Sequence, residues 1–204
     1  MHIEFLVEEP SAEAALLNIL PKIIETTPFA IHSYQGKQDL LKKLLSRLMG
    51  YKAWLQEDWR IVVLIDADDQ DCKRLKAELD EIAHKSKLLT KSETKNSSQF
   101  QVLNRLAIEE LEAWFFGDIE ALNAAYPRIS LNLSNKAKYR NPDSIAGGTW
   151  EALERELKRV GYYSSGLPKV TAARQISQHM VPESNRSHSF QVFHQGLLEI
   201  VGKK

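Results

Sequence analysis

The sequence predicts an α/β fold: a mostly parallel four-stranded sheet with helices on both faces, extended at its C-terminal end by further helices. Three observations predict it. Four short apolar runs, rich in β-branched residues and bounded by breakers, read as buried strands. Amphipathic patterns of 3.6-residue period lie between them, as parallel strands require for their crossovers. Beyond residue 108 only helical patterns continue.

The strands are expected at "IEFLV" (3–7), "FAIHSY" (29–34), "RIVVLI" (60–65) and "QVLNRLAI" (101–108). The first connection, "SAEAALLNILPKIIE", has Ser11 as expected N-cap, Glu13 in the first turn and Pro21 as an expected kink. The second, "KQDLLKKLLSRLMGYKAWL", repeats Leu40, Leu41, Leu44, Leu45 and Leu48 along one face. The third is "DCKRLKAELDEIAHK", and the polar stretch 85–99 after it reads as a loop. Four more helical patterns follow: "IEELEAWFFGDIEALNAAY", "TWEALERELKRVGYY", "PKVTAARQISQHM" and "SFQVFHQGLLEIV". They divide the chain into an α/β core, 1–127, and a helical extension, 128–204, expected to pack on it.

Of 204 residues, 43% are hydrophobic and 26% charged, enough apolar material for a sizeable core. The lone Cys72 excludes a disulfide framework and any Cys-based zinc site. No apolar run approaches the ~18 residues of a membrane span, and "MHIEFLVEEP" has no signal-peptide pattern, so a cytoplasmic protein is expected. Zero net charge conceals an asymmetry. Residues 1–127 carry 15 Lys/Arg against 21 Asp/Glu, and residues 128–204 carry 12 against 6. A cation site beside an anion-binding surface would produce this, and so would two parts that attract each other.

The acids concentrate where strands end. The first strand runs into Glu8 and Glu9, the third into Asp66 and Asp68, the fourth into Glu109, Glu110 and Glu112. In an open parallel sheet these carboxyl ends share one edge, where ligands gather. Crowded carboxylates repel one another unless solvent, a helix N-terminus or a cation relieves them, and hard divalent ions favour oxygen ligands. Asp66 and Asp68 can therefore be metal ligands or helix caps, Asp69 and Asp71 read as caps, and Glu112 is a ligand or part of a solvated helix face. Weaker candidates for phosphate or nucleic-acid contact are Gly36 and Lys37 at a strand–helix junction, and the loop residues Lys136, Lys138 and Arg140 around Tyr139. "QGKQDL" is no Walker A loop, because Ile31 stands where the first glycine is required. "AGGTWE" reads as a loop with Thr149 as N-cap.

A Glu after the first strand ("FLVEE") and Asp-x-Asp after a later one ("LIDAD") resemble the Toprim domain, a Rossmann-like fold of topoisomerases, DnaG-type primases and overcoming-lysogenization-defect (OLD) nucleases. The segments "QGK-x-DL", "D-x-DD-x-DC", "IEELEAWFFGD", "AGGTWEALE" and "GLPK" extend the resemblance to a group of small bacterial Toprim-like proteins, often encoded beside ABC-type ATPases and associated with phage defence. The resemblance implies Glu8, Asp66 and Asp68 as central metal ligands, with Glu13 and Glu112 as further ones. It implies Lys169, in "GLPK", as the residue that steadies a scissile phosphate; a plain solvated lysine is the alternative. Toprim domains typically have Gly after the glutamate, whereas Glu9 stands here, which leaves open whether Glu8 or Glu9 faces the ion.

The resemblance thus implies a nuclease using Mg²⁺ or Mn²⁺, as two ions, to hydrolyse phosphodiester bonds, with DNA as the expected nucleic acid, a separately encoded ATPase as partner, and no membrane. A non-catalytic or partner-dependent subunit of an ATPase complex is the alternative. A haloacid-dehalogenase-type phosphatase fits poorly, since its Asp-x-Asp follows the first strand, where Glu8 is found.

Overall fold

The computed structural model describes residues 1–94 and 99–203. It contains one sheet of four strands, β1 (His2–Val7), β2 (Phe29–Ser33), β3 (Trp59–Asp66) and β4 (Val102–Ala107), in the order β2-β1-β3-β4. Every pairing is parallel, so the four carboxyl ends share one edge. This is the expected α/β architecture. Part of the loop expected over 85–99, residues 95–98, lies outside the described residues.

The crossovers are α1 (Pro10–Ile24), α2 (Lys37–Lys52) and α3 (Cys72–Lys85). Side chains alternate across the sheet. Ile3, Phe5, Val7, Val62 and Leu64 enter one core, on the α1 face. Leu6, Ile61, Val63 and Ile65 enter the other, with Leu40, Leu44 and Leu48 of α2 and Leu75 and Leu79 of α3. Burial on both faces explains why the strands read as continuous apolar runs.

One crossover start differs from expectation. Helix α1 begins at Pro10, with Glu9 rather than Ser11 in the N-cap position, because proline at the first helical position is preorganised for it. Ser11 donates its hydroxyl to Glu9. Pro21 lies within the helix, which continues to Ile24. Asp71 does cap α3, accepting from the backbone N–H of Lys73 at 2.8 Å and Arg74 at 3.0 Å.

Past β4 come α4 (Glu112–Gly117), α5 (Ile119–Ala125), α6 (Thr149–Arg159), α7 (Lys169–His179) and α8 (His188–Ile200). The pattern expected as one helix over "IEELEAWFFGDIEALNAAY" is broken at Asp118. Its carboxylate caps α5 through Ala121 N–H (2.9 Å) and also accepts from Val181 N–H (2.8 Å). The larger core joins the α1 face of the sheet to residues of all five of these helices, including Trp114, Phe116, Leu153, Ile176, Phe190 and Phe193. Lys22 fastens α1 to the end of α7, donating to the carbonyls of Gln178 (2.7 Å) and Met180 (2.8 Å). Among the described residues, no helix is long and apolar enough to cross a membrane.

Candidate metal centre

The carboxyl edge is assembled by backbone hydrogen bonds before any side chain acts. Gly36, at φ 98° and just ahead of α2, donates its N–H to the Glu8 carbonyl at 2.9 Å. That junction lets Lys37 reach past β1 to the end of β3. Beyond β3, Ala67 N–H reaches the Ala107 carbonyl (2.8 Å) and Asp68 N–H the Glu109 carbonyl (2.7 Å). Asp68 (φ 47°) and Glu109 (φ 60°) both occupy the left-handed region, which costs a side-chain-bearing residue about 1 kcal/mol or more each. The two backbone hydrogen bonds hold the acidic turns against each other and offset that strain.

Glu8 and Asp66 sit together. The Asp66 backbone N–H donates to Glu8 Oε2 at 3.1 Å. Burial raises the Glu8 pKa, and the neighbouring Asp68 and Glu9 add to the rise against the opposing Asp66 N–H and Lys37. Asp66 is raised well above the ordinary aspartate value by burial and by the charges of Glu8, Glu112, Glu9 and Asp68. Glu109 is raised by burial and by Asp69, Glu110 and Asp68. These carboxyls lack enough positive charge around them.

Two lysines supply part of it. Lys37, 9% exposed, pairs with Asp68 and also donates to the Ala67 carbonyl at 3.3 Å. The sequence suggested a phosphate contact there; in the structure its ammonium is engaged by the aspartate. Lys169 opens α7 with its ammonium 5.0 Å from the centre of the Trp150 ring. Burial works to lower its pKa, but Glu112, Glu9, Glu110 and Asp66 raise it above the ordinary lysine value. Lys169 is half-buried and lies within electrostatic reach of these acids.

Glu112 is the most enclosed acid of the group, 1% exposed at the start of α4. Burial pushes its carboxyl up to about 7, Glu110 and Glu9 adding and Lys169 opposing. Its Oε2 is buried without a hydrogen-bond partner. A solvated helix face is excluded for this residue. Glu110, which sequence reasoning grouped with the other acids, has a structural role: Oε2 accepts from Thr149 N–H, Thr149 hydroxyl and Trp150 N–H, each at 2.9 Å. Thr149 is therefore not the N-cap of α6. Gly148, at φ 81°, holds that position and the distant Glu110 does the capping.

Glu13 stands apart, accepting from the Ser33 hydroxyl at the end of β2. Gly36 contributes its backbone and no side chain. The basic–aromatic patch expected at residues 136–140 is folded onto a different partner: Lys138 (3.2 Å) and Lys136 (3.7 Å) pair with the buried Glu156, which also accepts from the buried Tyr139 hydroxyl at 2.8 Å. Arg140 remains exposed. The Trp150 ring over Lys169 was not foreseen, because nothing in "GGTWE" links it to a lysine nineteen positions on.

Among the described residues, no three His, Cys, Asp or Glu side chains are gathered closely enough to hold a metal ion as they stand. The donor chemistry nonetheless fits a hard divalent cation. The available donors are carboxylate oxygens, their pKa values are raised by burial and by one another's charge, and one buried oxygen of Glu112 has no partner.

The sequence model of one protein family, described as a domain of unknown function (DUF4276), matches residues 7–198, which include every acid of this edge and Lys169. No curated protein and no solved structure matches the chain. The chain belongs to the DUF4276 family.

Proposed function

We propose that this protein is a divalent-metal-dependent nuclease of Toprim type that hydrolyses phosphodiester bonds in nucleic acid, DNA being the expected substrate. One observation carries the reading: Glu8, Asp66 and Asp68 leave adjacent parallel strands at the edge where the buried Glu112 and Lys169 act on each other's charge. Glu8, Asp66, Asp68 and Glu112 would hold Mg²⁺ or Mn²⁺, as two ions, with Glu9 as a flanking donor; Glu13, engaged by Ser33, lies outside this set. When bound, such ions activate a water and neutralise the scissile phosphate.

The chain's own groups have distinct tasks. The Asp66 N–H orients the Glu8 carboxylate. Lys169, kept protonated by its acidic neighbours and backed by Trp150, would balance charge growing on the phosphate. Lys37 would release Asp68 and turn toward the incoming phosphate, since substrate supplies the negative charge the aspartate now provides. A role in phage defence beside a separately encoded ABC-type ATPase rests on sequence resemblance alone.

A second reading, a non-catalytic or partner-dependent subunit, is favoured by the Lys37–Asp68 ion pair, which a partner could be needed to open. The test is incubation of purified protein with supercoiled plasmid and with a labelled single strand, in Mg²⁺, Mn²⁺ or EDTA. Cutting that requires metal and falls about a hundredfold or more in both Asp66→Asn and Glu8→Gln supports the nuclease. No cutting by a protein whose melting temperature rises with Mg²⁺ favours the dependent subunit. Cutting that survives both substitutions sinks the assignment of this edge.

A further inference from the structure

Away from the carboxyl edge, on the α2 side of the edge strand β2, lies a cleft of about 560 Å³, within the usual range for small-molecule sites. Its floor is Glu4, in the middle of β1 and four residues before Glu8, or about 13 Å back along the strand. Glu4 is 6% exposed, and a charged residue inside a parallel strand needs an explanation. Its carboxylate is fully engaged: His2 Nε2 at 3.0 Å, His32 Nε2 at 2.7 Å and Tyr51 hydroxyl at 2.9 Å. Glu4 thereby fixes His32, which leaves Nδ1 without a partner among the described residues.

The walls combine positive charge with flat aromatic surface. Lys43 and Arg47 stand one turn apart on α2. Lys43 pairs with Asp39 at 2.6 Å, but Arg47 has no carboxylate partner among the described residues, and its guanidinium lies 5.2 Å over the Tyr51 ring. Trp54 is 54% exposed and leans on Tyr51 and Trp59, with ring centres 5.2 and 5.4 Å away, so its indole is held in place while remaining open to solvent. A cationic ligand would meet Arg47 and Lys43. A simple anion would leave the aromatic wall unused.

We propose that this cleft binds a nucleotide unit, with the base stacked on Trp54 and the phosphate held by Arg47 and Lys43. The chemistry is shared by a free mononucleotide and by one nucleotide of a single strand. The proposal does not depend on the nuclease reading, because none of these residues belongs to the carboxyl edge.

Isothermal titration would compare AMP, UMP, adenosine, inorganic phosphate and a short single strand of mixed sequence, against the intact protein and the variants Arg47→Ala, Trp54→Leu and Asp66→Asn. The expected result is that a mononucleotide or the strand binds, that adenosine and phosphate bind at least about tenfold more weakly, and that Arg47→Ala and Trp54→Leu each weaken binding about tenfold. Asp66→Asn should bind as the intact protein does. Binding of the mononucleotides supports a free-nucleotide site, and binding of the strand alone supports a nucleotide within a chain. Absence of binding by either, phosphate binding as tightly as AMP, or loss in Asp66→Asn but not in Arg47→Ala would each overturn the proposal. Arg47 is exposed on its helix, so its replacement keeps the test decisive even if Trp54→Leu disturbs the aromatic stack.

Discussion

At the scale of single residues, the site's chemistry is a contest between burial and charge, and Glu112 shows it most plainly. An ordinary glutamate ionises near 4.5, whereas in the fold this one is raised to about 7. A carboxyl whose folded-state pKa is raised contributes stability below its unfolded pKa and loses it as pH climbs through the folded value. The stability of the metal-free protein should therefore fall between about pH 4.5 and about pH 7, with Glu112 alone accounting for roughly 3 kcal/mol. Asp66 pulls in the same direction. Glu112→Gln removes the buried charge, so in EDTA its urea midpoint should decline less from about pH 5 to about pH 8 than that of the unaltered protein. Equal declines would mean that Glu112 stays charged at little cost. The sequence pointed to Glu112 by its place after the fourth strand and by resemblance, but not to its burial. Its burial depends on helices that follow it in the chain, and no local pattern reveals that.

At the scale of elements, the strands and the three crossover helices were legible because their signals are local: a buried run, a leucine stripe, an aspartate before a helix. Asp71 capping α3 is such a case. What escaped were boundaries set from a distance. The break between α4 and α5 belongs to Asp118, whose two oxygens serve different segments. Gly117 just before it has no room for a side chain, since a Cβ would lie 2.9 Å from the Ser187 N–H nitrogen and collide with Asn185. Gly117→Ala should cost about 2 kcal/mol or more, read as a fall in the midpoint of thermal or urea unfolding. An unchanged midpoint would mean that Asn185 gives way easily. The start of α6 was misread as a Thr149 cap because its real cap is thirty-nine residues earlier. Glu110→Ala removes three hydrogen bonds at once and should destabilise by about 1–2 kcal/mol, with Glu110→Gln retaining part of the loss-free behaviour by keeping the acceptor oxygen. If both variants melt like the unaltered protein, the helix start does not need this cap.

At the scale of the whole molecule, the opposite net charges of residues 1–127 and 128–204 left two explanations open, and Lys169 is one place where the two parts meet through charge. Lys169 comes from the basic part into a cluster of acids from the acidic part. The same division of the chain does not divide the core. Trp114 packs against Phe190 and Phe193 with ring centres 5.1 and 5.0 Å away, and Phe116 stacks on Tyr139 at 4.9 Å. Without residues 128–204 those aromatic faces, the buried side of α1 and Glu112 would meet water. Exposing even three large aromatic or aliphatic side chains forfeits roughly 5–9 kcal/mol, comparable to the total stability of a domain this size. A fragment ending at residue 127 should therefore lack a fixed tertiary structure, giving poorly dispersed amide NMR signals and no near-ultraviolet dichroism. Sharp, dispersed signals from that fragment would show instead that the α/β part folds alone and that its C-terminal helices are an accessory to the site rather than half of its foundation.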